Sequence, residues 1–239
     1  MIYFLVPVFN EAPNLEELFS NLEGCLPGEE KFFVFSDDGS SDGSVQKLEK
    51  LFEKKSFIVL GDGKNHGPGY AFNLGFDWIL NHSSGTADSI VTLEADNTSD
   101  ISILDKMMTC HKMGFDLVLS SVYAQGGGFE KTSFFRRFLS AVANLGLRFI
   151  FDIRVQTLSS FYRVYSVELL RKVKKEYGII IREPGFLCMI ELLLKIVRQK
   201  GSVIEVPMML FSSKRKGKSK MKVLKTSWSY FRFMINPKL

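Results

Sequence analysis

The chain has 239 residues, 46 % of them hydrophobic, enough for a sizeable α/β core and too apolar for a disordered chain. Its formal net charge is +5, yet seven cations (Lys214, Arg215, Lys216, Lys218, Lys220, Lys222 and Lys225) account for all of it, since removing them leaves −2. The basic character therefore belongs to one segment, whose natural partner is phosphate on a substrate, a membrane surface or a nucleic acid.

No apolar run reaches the roughly 18 residues of a membrane span, and residues 2–8 read as a core strand, not a leader. Cys25, Cys110 and Cys188 have no ligand-like spacing, and His66, His82 and His111 are scattered. We expect buried thiols in a cytosolic protein, without disulfides, zinc or a His-rich metal centre.

Residues 2–8 are apolar and β-branched, which predicts a buried strand. Asn14 with Glu17 three residues on has the spacing of a capping box, and Leu15, Leu18, Phe19 and Leu22 supply one apolar helix face. Residues 32–35 predict the second strand, followed by the polar loop 36–44 and a helix carrying Val45, Leu48, Leu51 and Phe52. A strand at 57–60, a glycine-rich loop opening a helix to about Leu80, a strand at 89–93 and a helix at 101–113 follow. Further on we expect a strand at 117–121, a break at Gly126-Gly127-Gly128, and a long apolar helix or helix pair over 132–151. A strand at 159–165, helices at 167–177 and 186–200, a strand at 203–211 and an aromatic-rich tail complete the chain.

Strand–helix alternation with short connections predicts an α/β fold, a mostly parallel sheet flanked by helices in one domain. Ligands of such sheets bind beyond the carboxyl ends of the strands. The unusual loops at 7–11, 37–44 and 94–100 each follow a strand, so they should gather on one edge. In Glu94-Ala95-Asp96 the two acids alternate on an extended chain and aim at one spot. Two such carboxylates are costly side by side unless a cation lies between them, and a divalent ion on a diphosphate meets that need. The competing reading is a pair of solvated acids, with Ser99 or Asp100 capping the next helix.

Pro7-Val8-Phe9-Asn10-Glu11, Asp37-Asp38-Gly39-Ser40-Ser41-Asp42-Gly43-Ser44, residues 65–75 and Glu94-Ala95-Asp96 resemble, in order and spacing, the family 2 glycosyltransferases of GT-A (Rossmann-like) fold. Ser160-Phe161-Tyr162-Arg163, Gly185-Phe186 with Glu191, and Phe211 followed by Gly217-Lys218-Ser219-Lys220-Met221 look like the branch of dolichol-phosphate mannose synthases and other polyprenyl-phosphate glycosyltransferases. The resemblance runs from residue 3 to about 222. It implies that Pro7, Phe9, Glu11 and Asp38 line a nucleotide pocket beside Asn65, Gly67 and Ala71. It further implies that Glu94 and Asp96 hold Mg²⁺ or Mn²⁺, and that Arg163, Lys214, Arg215, Ser219 and Lys220 meet acceptor phosphate. The chain departs from the branch at Glu94 and Thr157, where Asp is usual, and at Lys214, where Arg is usual.

The expected activity is an inverting, metal-dependent transfer of a hexose from a GDP- or UDP-linked sugar to a polyprenyl (dolichyl-type) phosphate. A phosphate dianion needs no general base, whereas a sugar hydroxyl acceptor, as in cell-surface polysaccharide synthesis, needs a carboxylate, for which Glu191 or Glu183 is the candidate. The expected organisation is a glycosyltransferase domain over residues 1–212, with a basic loop and aromatic tail at 213–239 on or near it. That segment would lie peripherally on the cytoplasmic face of a membrane. A rival from another class is a basic nucleic-acid- or anion-binding protein using residues 214–225, with no use for Glu94 and Asp96. No nucleic-acid partner is expected on the main reading.

Overall fold

The computed structural model describes residues 1–85, 87–217, 229–230 and 232–234. Among them, seven strands form the main sheet: β1 (Ile2–Val8), β2 (Lys31–Asp37), β3 (Phe57–Leu60), β4 (Ser89–Thr92), β5 (Leu117–Ser121), β7 (Arg163–Ser166) and β8 (Val203–Pro207). Their order is β3-β2-β1-β4-β7-β5-β8. All neighbours run parallel except β7, which lies antiparallel between β4 and β5. A small second sheet pairs β6 (Gly128–Phe129) with β9 (Met209–Leu210).

Helices cover both faces, so β1 is almost continuously apolar. Its alternation splits the core in two. Tyr3 and Leu5 pack with Phe72, Phe76 and Ile79 of α3 (Pro68–His82), and with α6 (Val167–Tyr177) and α7 (Cys188–Arg198). Ile2, Phe4, Val6 and Val8 face α1 (Leu15–Gly24), α2 (Ser44–Phe52) and α4 (Leu104–Lys112). Residues 132–151 form one helix, α5 (Phe134–Phe151), not a pair.

Several boundaries differ from the sequence expectation for local reasons. The strand expected over 203–211 breaks at Met208, because Pro207 has no N–H to continue a ladder and the chain passes from one sheet to the other. The strand expected from 159 begins only at Arg163; Ser160 Oγ accepts from the Tyr162 N–H at 3.2 Å, and Ser120 Oγ lies 2.7 Å from it. Asn14 does not cap α1 with its side chain. Cys188 is buried, but Cys25 and Cys110 are only half-buried, and all three are free thiols. In the tail, Phe233 is buried with its ring 6.0 Å from that of Phe151 on α5, and Tyr230 and Met234 pack on the core. No helix among the described residues is long and apolar enough to cross a membrane.

Candidate active site

β1 lies between β2 and β4, and all three are parallel, so their carboxyl ends share one edge. There the loop after β2 zips to the loop after β1. Ser40 Oγ accepts from the Asn10 N–H (2.9 Å), Ser44 Oγ from the Glu11 N–H (2.9 Å) and Asp42 Oδ2 from the Ala12 N–H (3.0 Å). Asn10 Oδ1 accepts from the Ser41 N–H at 2.8 Å in return, with Asn10 in the left-handed region at φ 53°. The serines and Asp42 of that loop thus serve to present Glu11.

Asp38, at the next position along the edge, takes up the loop before α3. Its carboxylate accepts from Asn65 Nδ2 (2.9 Å) and from the backbone N–H groups of His66 (2.7 Å) and Gly67 (3.0 Å), at the positive end of the helix. Burial nevertheless pushes the Asp38 carboxyl above its ordinary value, the His66 and Gly67 amides offsetting only part of it. Gly67 (φ 100°) and Gly69 press against the 183–184 backbone, where Gly69 N–H donates to Pro184 O at 2.8 Å. A Cβ at Gly69 would overlap the Glu183 carbonyl. These glycines permit close approach between two walls of the cleft.

Glu94 and Asp96 emerge just beyond β4. Ser99 Oγ donates to Glu94 Oε2 at 2.6 Å, and Thr98 donates to Asp96 Oδ1 through its N–H (3.1 Å) and Oγ1 (2.7 Å). Ser99 therefore steadies an acid and does not cap a helix; Asp100 accepts the Ser102 N–H at 3.1 Å instead. Arg215 Nε donates to Asp96 Oδ2 at 2.6 Å, and its Nη2 contacts the same oxygen. Burial, and then the Asp96 charge, push the Glu94 carboxyl up. Among the described residues, no cluster of three or more His, Cys, Asp and Glu side chains could hold a metal. Two hard oxygen donors fit an ion that completes its shell with phosphate oxygens, as Mg²⁺ and Mn²⁺ do.

These loops enclose a cavity of about 1190 Å³ whose lining includes Pro7, Phe9, Glu11, Asp38, Asn65, Gly67, Ala71, Glu94, Asp96 and Arg215. Three expected residues stand elsewhere. Glu191 is fully buried on α7; it accepts from the backbone N–H groups of Arg182 and Glu183 (2.8–3.0 Å) and pairs with buried Lys195 at 2.6 Å. It holds the 182–185 wall from behind and does not line the cleft, which corrects its expected role as a base. Arg163 is also fully buried, donating to the carbonyls of Leu158 (2.6 Å), Ser160 (2.7 Å) and Met189 (2.9 Å), so its guanidinium is not presented to an acceptor. Lys214 projects over the Phe211 ring at 4.9 Å, outside the lining. Ser219 and Lys220 lie outside the described residues.

The lining also holds groups that the motifs did not single out, among them Lys131 and, from α5, Ser140 and Asn144. Asn144 Oδ1 accepts the Leu158 N–H at 3.1 Å, tying α5 to the loop that leads into β7. No local pattern marks these residues, because they reach the edge only through the irregular path between β5 and β7.

The glycosyl transferase family 2 model matches residues 3–174. The chain belongs to glycosyl transferase family 2. This family 2 chain is 32 % identical to a dolichol-phosphate mannosyltransferase of Pyrococcus furiosus over 95 % of its own length and 61 % of that protein's. It is 27 % identical to a polyprenol monophosphomannose synthase of Mycolicibacterium smegmatis, over 91 % of this chain and 79 % of that one. Glucosyl-3-phosphoglycerate synthase of Mycobacterium tuberculosis, solved with Mn²⁺ and UDP-glucose, superposes with a TM-score of 0.67 at 16 % identity, covering 98 % of this chain and 78 % of that one. The likeness extends the GT-A-like fold to the family 2 chain.

Proposed function

We propose that the protein transfers a hexose from a GDP- or UDP-linked sugar to a polyprenyl phosphate, with inversion, at the cytoplasmic face of a membrane. The observation that carries the reading is the placement of Glu94, Asp96 and Arg215 together in a cleft walled by the loops of β1 and β2. The naming of two relatives for polyprenol and dolichol-phosphate mannosyl transfer supports the acceptor class.

Glu94 and Asp96 would hold Mg²⁺ or Mn²⁺, which when bound supplies charge neutralisation for a diphosphate leaving group. Pro7, Phe9, Glu11 and Asp38, with Asn65, Gly67 and Ala71, form the wall for the nucleotide. Arg215 offers a planar guanidinium suited to bidentate phosphate contact. A phosphate dianion needs no base, in keeping with Glu191 lying behind the wall. Glu183 does line the cleft, which keeps a sugar hydroxyl acceptor as the second reading, with Glu183 as its base.

Membrane contact falls to α5. Phe134, Phe138, Val142, Leu145 and Phe149 repeat at helical spacing and are all more than half exposed, Phe149 by 88 %. Such a stripe on an amphipathic helix suits the boundary between headgroups and acyl chains. Leu147, Asn144 and Ser140 face inward, so the same helix borders the cleft and presents the apolar face. The sequence expectation assigned this contact to the basic loop and aromatic tail over 213–239; of the described tail residues Phe233 is buried and Tyr230 packs on the core, and residues 218–228 lie outside the described residues.

The test is transfer of labelled sugar from a panel of GDP- and UDP-sugars into an organic phase, with metal and a short polyprenyl phosphate. Transfer that requires metal and falls at least about a hundredfold in Asp96→Ala supports the reading. No transfer with any donor removes the lipid acceptor and sends the search to hydroxyl acceptors.

A further inference from the structure

Asn14 is 1 % exposed at the start of α1, and its side chain is not used to cap that helix. Its amide nitrogen donates to Glu11 Oε2 at 2.5 Å and to the Lys216 carbonyl at 3.2 Å. Its Oδ1 accepts the Lys216 N–H at 2.9 Å, and its backbone carbonyl accepts from Asn97 Nδ2 at 2.9 Å. One residue therefore joins three chain segments: the loop after β1 through Glu11, the loop after β4 through Asn97, and the C-terminal loop through Lys216. Asn97 follows Asp96, and Lys216 follows Arg215.

We propose that Asn14 is a positioning residue that pins residues 211–217 across the cleft and so sets the Arg215 guanidinium against Asp96. The loop is anchored at its other end by the Phe211 N–H, which donates to Thr98 O at 2.9 Å. Between these anchors the position of Arg215 is determined from both sides. The exposed Lys216–Glu17 pair, at 3.7 Å, is too long and too solvated to do this by itself. The work calls for an asparagine. A donor and an acceptor must meet the two backbone groups of Lys216 together, while the amide also faces the Glu11 carboxylate. An aspartate has no donor there and would set two carboxylates against each other, and a serine has a single polar atom. The catalytic consequence rests on the proposed function, whereas the pinning of the loop does not.

The experiment has two arms. Hydrogen exchange is followed in the full chain and in Asn14→Ala and Asn14→Asp. The Asp variant keeps the volume, so it reports even if the Ala variant folds poorly. The expected result is exchange about tenfold faster over residues 211–217 in both variants, with β1 and β4 unchanged. In the second arm, donor kinetics are measured for Asn14→Ala, Arg215→Ala and the double variant. If Asn14 acts through Arg215, the double variant has the kcat of Arg215→Ala alone. Unchanged exchange at Lys216, acceleration spread evenly over the chain, or losses that multiply in the double variant would each overturn the proposal. A parent chain that transfers no sugar would count against the proposed function while the exchange arm still decides on Asn14.

Discussion

Replacing Glu191 by alanine would leave the Lys195 ammonium buried without a counter-charge, facing the carbonyls of Ile179 and Ile180, at 3.1 and 3.0 Å, and the Tyr177 ring, 5.2 Å to its centroid. It would also strip the acceptor from the N–H groups of Arg182 and Glu183. Breaking one side of a buried ion pair costs about 3–5 kcal/mol. For a chain of this size each kcal/mol lowers Tm by about 2–4 °C, so a drop on the order of 10 °C is expected. Glu191→Gln keeps one oxygen for the 182–183 amides and should cost less than alanine. Changing Glu191 to Leu together with Lys195 to Met removes both charges and should recover much of the loss. The assay is thermal unfolding, read beside sugar transfer below the melting range. The positioning role predicts that activity follows the folded fraction and the shape of the 182–185 wall, with no change in the pH profile. A Glu191→Gln protein of unaltered Tm that lost transfer across the pH range would refute the reasoning and restore Glu191 as a base.

Two further predictions concern the loops and the surface. Asp42 is exposed, and the slight desolvation of its carboxyl works upward, but the Ser44 hydroxyl and the Ala12 and Ser44 amides outweigh this and hold it below the ordinary value. A depressed carboxyl contributes stability that is present above the usual carboxylate range and lost as pH falls through the folded value. Asp42→Asn should therefore cost about 1 kcal/mol near neutrality, allowing for solvent screening, and the difference from the parent should shrink in acid melts. On α5, Phe138→Glu with Phe149→Glu should lower sedimentation with anionic vesicles at least about tenfold at unchanged Tm, and the parent's binding should weaken with salt. Vesicle binding unaffected by the pair would remove α5 as the contact.

The strand–helix alternation is legible because each element carries its own period. Ile2, Phe4, Val6 and Val8 against Tyr3 and Leu5 already separate the two faces of β1. Parallel strands joined by crossover helices must then bring the loops after β1, β2 and β4 to one edge, so the gathering of Glu11, Asp38, Glu94 and Asp96 follows from connectivity. Local order did not show that β7 enters antiparallel, since its partners β4 and β5 are set by pairings across 40 residues and more.

What the sequence by itself determined is therefore which acids stand at the carboxyl edge, because strand direction and alternation are local properties. Which charged groups serve the cleft and which serve the fold was decided only by tertiary structure. Glu191 and Arg163 sit in motifs that look functional, yet packing between distant segments buries both completely. There each must be satisfied by backbone groups, three carbonyls for Arg163 and two amides with Lys195 for Glu191, because a buried charge without partners is too costly to keep. Asn14 shows the converse. Its spacing to Glu17 suggests a helix cap, but a segment some 200 residues later, at Lys216, offers its side chain two backbone groups at once. No pattern within the helix could reveal a partner that arrives from the other end of the chain.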